Sequence, residues 1–417
     1  MGRFVRHALA APLVRIAARV GGRRLDLSRL DSLPEALAWP LQRDGVAVDP
    51  RLVDGQPIRR LASVLGMQVW LVTDADAGRA VLAEPAAYST DIRPYVGARG
   101  AADGDIGGLG FTDPPEHTAL RKLVAPEFTK RKLEALRPRI TAIVDEQLDL
   151  LERRGKAGDP VDLAATFAFD VPFLVICELL GLPLDDRATF RQLGGARFDV
   201  SQGGMGAFGA ISGSRTFLIG ATQRQRIEPG SGLIGRLVVE HPEISDHELG
   251  GVADGVFTGG METSAAMLAL GTGLLLEHPE WWDALASGAD PVPVVEELLR
   301  HLAVVQVAFP RFARQDVVVA GQRVRKGDVV MVSIPGSNQV GRPGFDPARD
   351  ASSHLAFGHG IHRCVGAELA RLELQVALPA LARRFPLLAT AGDPAYRQTS
   401  IVFGVDAMPV RTCPVAH

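Results

Sequence analysis

The stretch F-G-H-G-I-H-R-C-V-G, Phe357 to Gly366, decides how the chain is read. Cys364 sits in a glycine-rich turn among aromatic, basic and imidazole neighbours. A helix-like segment, AELARLELQVALPALARRF, follows at once. A thiolate there lies at a helix N-terminus, where free N–H groups and the dipole favour negative charge. Gly358, Gly360 and Gly366 let the backbone fold tightly around the sulfur. Such a turn suits an anionic sulfur that holds a metal from one side. A single cysteine is also ordinarily a small buried apolar residue, so the remaining chain has to decide.

Composition narrows the choice. The 417 residues are 47% hydrophobic and 22% charged, an ordinary globular balance. No Ser-, Gly- or Pro-rich linker divides them, so residues 25–417 are expected to form a single large domain. Residues 1–24 are expected to be a basic amphipathic arm, whose Arg15 and Arg19 interrupt any secretory apolar core. The net charge of -3 gives no general case for binding nucleic acid. Cys177, Cys364 and Cys413 form no C-x-x-C pair, which argues against a zinc knuckle or a disulfide framework and fits a reducing cytoplasm. No run approaches the roughly 20 apolar residues of a transmembrane segment.

Further stretches stand out in chain order. Asp113–Thr129 opens a helix that Asp113 can cap, with His117 and Arg121 four apart on one face. Phe167, Val171, Leu174, Val175 and Leu179 read as core, with Cys177 packed among them. Residues 91–112 and 194–213 are glycine-rich, the second read as a mobile segment. Ser245 to Glu277 is the longest helical pattern, opening on a Ser245/Glu248 capping box and running on the order of 50 Å. Its centre is Gly259, Gly260, Met261, Glu262, Thr263 and Ser264. Two adjacent glycines there cost about 1 kcal/mol each relative to Ala, which fits either close helix packing or the approach of another group. Glu297 and Arg300 share a helix face. Small hairpins are expected over residues 304–336, and a terminal β-hairpin at the end of the chain.

HTALR, GGMETS, EELLR and FGHGIHRCVG, in that order, resemble the cytochrome P450 family of the soluble bacterial type. The resemblance covers the chain from about residue 45. Phe357, Gly360, His362, Cys364 and Gly366 carry its strongest motif. The resemblance implies a mainly α, triangular helical domain with small β-sheets around haem b. It implies Cys364 as the axial thiolate ligand of the haem iron, within a cofactor-binding turn that includes Phe357, Gly358 and Gly366. His117, Arg121, Arg311 and His354 match positions that hold the haem propionates. Gly260 would leave room for oxygen, and Glu262 and Thr263 would deliver protons. Glu297 and Arg300 would be a structural pair.

The family's substrate regions map onto Val256, Gly259, Val305, Val307, Ile401, Val402 and Phe403, which are largely apolar. The implied activity is a cytoplasmic monooxygenase that hydroxylates or epoxidises a terpenoid, polyketide, steroid or fatty-acid-like compound with O2. Electrons would come from a ferredoxin and its NAD(P)H-dependent ferredoxin reductase, with the ferredoxin docking on Lys122, Lys130, Arg131, Lys132 and Arg363. The same haem-thiolate fold also serves peroxide-driven oxidation, isomerisation and oxidative coupling, and a haem-binding sensor is a non-enzymatic alternative. Two departures stand out. Gly259 replaces the usual alanine. The segment after Asn338 is short, which leaves Arg342 as a candidate third partner of the Glu297–Arg300 pair.

Overall fold

The computed structural model describes residues 19–20, 23–24, 50–64, 67–91, 109–156, 158–194, 204–397 and 402–413. The helices that build the body are α1 (Ala75–Ala83), α2 (Glu116–Val124), α3 (Lys130–Gly155), α4 (Asp170–Leu180), α5 (Gly204–Ile227), α6 (Asp246–Leu276), α7 (Pro279–Ala286), α8 (Val292–Leu302) and α9 (Ala367–Arg384). At the centre is α6, packed against α4, α5, α8 and α9. Its start is a complete capping box, Ser245 accepting from the Glu248 N–H while the Glu248 carboxylate accepts from the Ser245 N–H.

Apolar residues surround α6, as expected of a helix buried on every side. Leu249, Val252, Val256, Phe257, Met261, Met267 and Leu275 are all buried. Phe257 meets Phe173 of α4 and Phe190, with ring centroids 6.4 and 4.2 Å away. One stripe breaks the pattern. Gly255 and Gly259, four apart, are exposed, and Thr263 on the next turn is half-buried. Helical periodicity puts these three on one face.

The β structure departs from the expected small hairpins. Strands β1 (Ile58–Val64), β2 (Met67–Val72), β3 (Tyr88–Ser89), β4 (Arg311–Ala313) and β5 (Val329–Val332) form one sheet in the order β1-β2-β5-β4-β3. Within it β5 runs parallel to β2, pairing Val329 with Val69 and Val332 with Val72. The expected hairpin at Val317–Val319 and Gln322–Val324 is present, turning through Ala320 and Gly321, both with positive φ. The C-terminal end is split rather than a single hairpin. Strands β6 (Ala395–Tyr396) and β7 (Val405–Ala407) pair with each other, while Pro409–Arg411 joins a separate three-stranded sheet.

Some sequence expectations change. Asp113 does not cap α2; its carboxylate accepts instead from Ser89 Oγ, Thr90 N–H and Arg314. The second glycine-rich segment is helical from Gly204 onward. In the expected N-terminal arm, Arg19–Val20 pairs antiparallel with Arg23–Arg24. The rest of that arm, residues 92–108 and Ile401 lie outside the described residues. Cys177 is fully buried, and burial pushes its thiol up to about 12, as befits a packing residue. Among the described residues, no helix is long and apolar enough to cross a membrane.

Candidate functional site

The loop around Cys364 is shaped by a few backbone contacts. Cys364 N–H donates to Phe357 O at 2.9 Å, and Gly358 N–H donates to Leu355 O at 2.8 Å. Gly360 has φ of 72°, and a Cβ there would lie 2.5 Å from the Leu82 carbonyl oxygen at the end of α1. Only glycine meets both conditions. The loop ends at Gly366, where α9 begins. Cys364 is exposed, yet enough protein surrounds it that burial pushes its thiol pKa up. The Gly366 N–H, Arg121, Arg363 and Arg371 pull in the opposite direction.

Four basic groups gather beside this loop. His117 is 2% exposed, and its Nε2 is buried with no hydrogen-bond partner. Its ring lies 4.2 Å from that of His362. His362 Nδ1 donates to Leu109 O at 3.0 Å, and Nε2 lies 3.3 Å from Thr90 Oγ1. Burial, with Arg311 and His117 nearby, lowers His362 to about 4. Burial and Arg121 likewise lower His117, and burial lowers Arg311 to about 10. Arg121 is lowered by burial while Cys364 opposes the shift, so Arg121 feels both His117 and the sulfur. The cluster destabilises its own positive charge, which suits an incoming anion. Asp113 is its carboxylate neighbour, and the Asp113 oxygens are already engaged by Ser89, Thr90 and Arg314.

His354 belongs elsewhere, which corrects the sequence expectation. Its Nε2 donates to Glu296 Oε2 at 3.2 Å and its Nδ1 accepts from Ala356 N–H at 3.1 Å. Both ring nitrogens are therefore occupied. Glu296 also binds Arg371, whose guanidinium lies 4.6 Å from the centroid of the Phe357 ring. Burial opposes ionisation of Glu296, but His354 and Arg371 hold its carboxyl at about 2. This network braces α8 against α9 and the loop. His362, two residues before the cysteine, is the loop histidine that joins His117 in the basic cluster.

Glu297 and Arg300 form a buried pair, with Nε–Oε2 at 2.6 Å and Nη2–Oε1 at 2.7 Å. Arg300 also donates to the carbonyls of Asn338, Arg342 and Gly344. The third charged partner is Arg349, whose Nη1 lies 3.5 Å from Glu297 Oε1. Arg342 takes part through its backbone carbonyl, which corrects its candidacy as the third side chain.

The two glycines of α6 have separate reasons. A Cβ on Gly260 would lie 2.5 Å from Ile176 Cδ1, so Gly260 serves the packing of α4 on α6. A Cβ on Gly259 would meet nothing within 4 Å. The open position is Gly259, not Gly260 as expected. Thr263 Oγ1 donates to Gly259 O at 2.7 Å. Glu262 is 7% exposed and ion-paired to Arg397. Of the expected pocket residues, Val402 bridges Val305, and Phe403 N–H donates to Val304 O at 2.8 Å. Val256 is buried on α6, while Val307 packs with the cluster around Phe312 and Met331.

Sequence reasoning missed His362 as a cluster member, and it missed Arg349, Arg397 and Glu373. Glu373 lies on the buried face of α9, four residues after Leu369 and four before Ala377, so its position carried a signal. Burial raises its carboxyl to about 8 against a hydrogen bond from Ser264, and its Oε2 has no partner. The folded state therefore holds this proton more tightly than the unfolded chain. The resulting stability is complete below the ordinary carboxyl value and is lost as pH rises through about 8. Glu373→Gln is expected to remove this loss, gaining a few kcal/mol over the parent above about pH 8. Urea midpoints across pH check it, and parallel profiles for the two proteins would rule it out.

Comparison with known proteins bears on the family and the fold. The cytochrome P450 family model matches residues 293–408. Cytochrome P450 165B3 of Amycolatopsis orientalis is 38% identical over 82% of this chain and 89% of its own length. Nocardicin C N-oxygenase of Nocardia uniformis subsp. tsuyamanensis is 38% identical over 85% of this chain and 92% of its own length. The solved structure of OxyE, a cytochrome P450 involved in teicoplanin biosynthesis, superposes with a TM-score of 0.80 at 36% identity, covering 89% of this chain and 99% of OxyE. The chain therefore belongs to the cytochrome P450 family, oxidoreductases that use haem b with thiolate-ligated iron as monooxygenases.

Proposed function

We propose that this chain oxygenates a lipophilic small molecule at a haem b held by Cys364, using dioxygen and two externally supplied electrons. The basic cluster carries the reading: the partnerless Nε2 of His117, with Arg121, Arg311 and His362, suits the two propionates of haem. Arg121 lies within electrostatic reach of Cys364, so these anchors and the sulfur serve one cofactor. When bound, the haem supplies reductive activation of dioxygen.

The protein's own residues do the rest. The Gly366 N–H and the start of α9 favour a thiolate at Cys364. Phe357 and Gly358 shape the loop that holds it. Gly259 leaves space beside α6. Thr263 keeps its hydroxyl fixed by donating to Gly259 O, with its lone pairs left to accept and orient a proton donor. Glu262 stands next in sequence as the acid that passes protons inward. Val256, Val305, Val402 and Phe403 offer apolar surface to a terpenoid, polyketide, steroid or fatty-acid-like substrate, and they exclude water from it.

Electrons enter from a ferredoxin and its reductase. Lys122, Lys130, Arg131 and Lys132 are exposed at the adjoining ends of α2 and α3, and Arg363 is exposed beside Cys364. These charges suit an acidic partner. Charge reversal at Lys130 and Lys132 is expected to slow reduction severalfold and to flatten its salt dependence. Unchanged reduction kinetics would exclude that face.

The function is tested by turnover with NADPH, ferredoxin and reductase under isotopically labelled dioxygen. The substrate is drawn from lipophilic compounds that shift the haem spectrum. One labelled oxygen per product molecule is expected. A product formed without new oxygen would instead place the chain among the coupling or isomerising enzymes of this fold. Ligands that shift the spectrum and are never converted would make it a sensor.

A further inference from the structure

Glu262 is 7% exposed inside the packed body of the protein, yet it ion-pairs with a residue of the C-terminal region. That residue is Arg397, which lies just after β6 and is 24% exposed in its side chain. Arg397 is held in place twice. Its backbone N–H donates to Gly404 O at 2.9 Å, and its Nε donates to Asp406 Oδ1 at 2.8 Å. Asp406 lies on β7 with its side chain 63% exposed. One guanidinium therefore bridges a buried acid and a solvated one, 144 residues apart in sequence (406 − 262).

This arrangement has a direction. The ion pair with Arg397 sets a positive charge directly against the Glu262 carboxylate. The bond from Nε to Asp406 is made by the same planar group, so the guanidinium can shift toward Asp406 without losing a counter-ion. Glu262 is then free to take a proton from water and pass it toward Thr263, whose hydroxyl is fixed by Gly259 O. Return of Arg397 resets the acid. The transfer moves only a proton, and no bond to carbon changes.

We propose that Arg397 is a positioning residue for proton delivery, exchanging between Glu262 and Asp406 to connect the buried acid with solvent. This rests on the reading of Glu262 and Thr263 as the proton-delivering pair. Arg397 acts through Glu262, with which it is ion-paired.

The test uses the full-length holoenzyme in four forms: parent, Arg397→Met, Arg397→Lys and Asp406→Asn. Infrared spectroscopy reads the protonated-carboxyl stretch, assigned by its loss on adding Glu262→Gln. The parent is expected to lack this band at neutral pH and Arg397→Met to show it, with Arg397→Lys resembling the parent. In turnover, Arg397→Met is expected to raise severalfold the share of electrons released as hydrogen peroxide and to enlarge the solvent isotope effect. Its KM should stay within twofold of the parent value. Asp406→Asn is expected to change peroxide release in the same direction but less. If Arg397→Met shows no new carboxyl band, or if its peroxide release matches the parent's, the proposal is overturned. A peroxide increase that Lys does not reverse would equally overturn it. Should Arg397→Met fail to fold, the comparison of Asp406→Asn with Arg397→Lys decides by the same two readouts. A parent that makes no oxygenated product would defeat the monooxygenase reading instead, while the infrared comparison would still report whether Arg397 governs Glu262.

Discussion

Replacing Glu297 with alanine is expected to destabilise the protein by about 3–5 kcal/mol, a large share of the roughly 5–15 kcal/mol that keeps a domain folded. Glu297 and Arg300 are 0% and 1% exposed. Glu297 accepts two hydrogen bonds from Arg300, one from the Asp346 N–H at 2.9 Å, and the approach of Arg349. Without the carboxylate, the Arg300 charge stays buried and uncompensated, although three backbone carbonyls still accept from it. The coil at residues 342–349, which converges on this pair, loses its anchor at the same time. The expected result is a much lower urea midpoint and poor retention of haem through purification. Glu297→Gln keeps some hydrogen bonds and should fall between the two. An unfolding free energy for Glu297→Ala within about 1 kcal/mol of the parent would show that the pair is ornamental to the fold.

Thr263→Ala and Glu262→Gln carry the second large expectation. Each should still bind substrate and consume dioxygen, because neither substitution removes the cofactor anchors or the apolar pocket. Product formation is expected to fall about 100-fold, the lower end of what a positioned proton donor contributes. The consumed dioxygen should appear as hydrogen peroxide. Thr263→Ser keeps the hydroxyl and should recover most of the loss. The quantity to measure is product formed per dioxygen consumed. An unchanged ratio in Thr263→Ala would remove Thr263 and Glu262 from proton delivery and leave Thr263 as a helix hydroxyl that caps Gly259 O.

The parts of the site that were legible in the sequence are those whose geometry is local. The cysteine turn is contiguous, and its glycines, its helix and its sulfur lie within a few residues of one another. The capping box of α6 and the Glu297–Arg300 pair are likewise set by spacings of three. What failed depended on which way a side chain turned. His354 and His362 sit eight residues apart in one basic stretch, but Glu296 of α8 captures His354 and leaves His362 for the cluster. Gly259 and Gly260 are adjacent, yet neighbours on a helix point about 100° apart. Ile176 of α4 decides which of them is packed and which is open. Arg349 and Arg397 lie in irregular chain, where no period assigns a face. The parallel pairing of β5 with β2 joins segments some 260 residues apart, a distance over which hydrophobic alternation says nothing about partners.

Cys364 is proposed to ligate haem iron as a thiolate, with His117, Arg121, Arg311 and His362 anchoring the haem beside it. The most direct measurement is the absorption spectrum of the reduced carbon-monoxide complex, taken on the parent and on folded Cys364→Ser protein. The parent is predicted to show the strongly red-shifted Soret band that a thiolate ligand gives, and the serine variant to lose it for a band at shorter wavelength. A parent that binds haem without that band, or a Cys364→Ser protein that keeps it, would rule out Cys364 as the thiolate ligand.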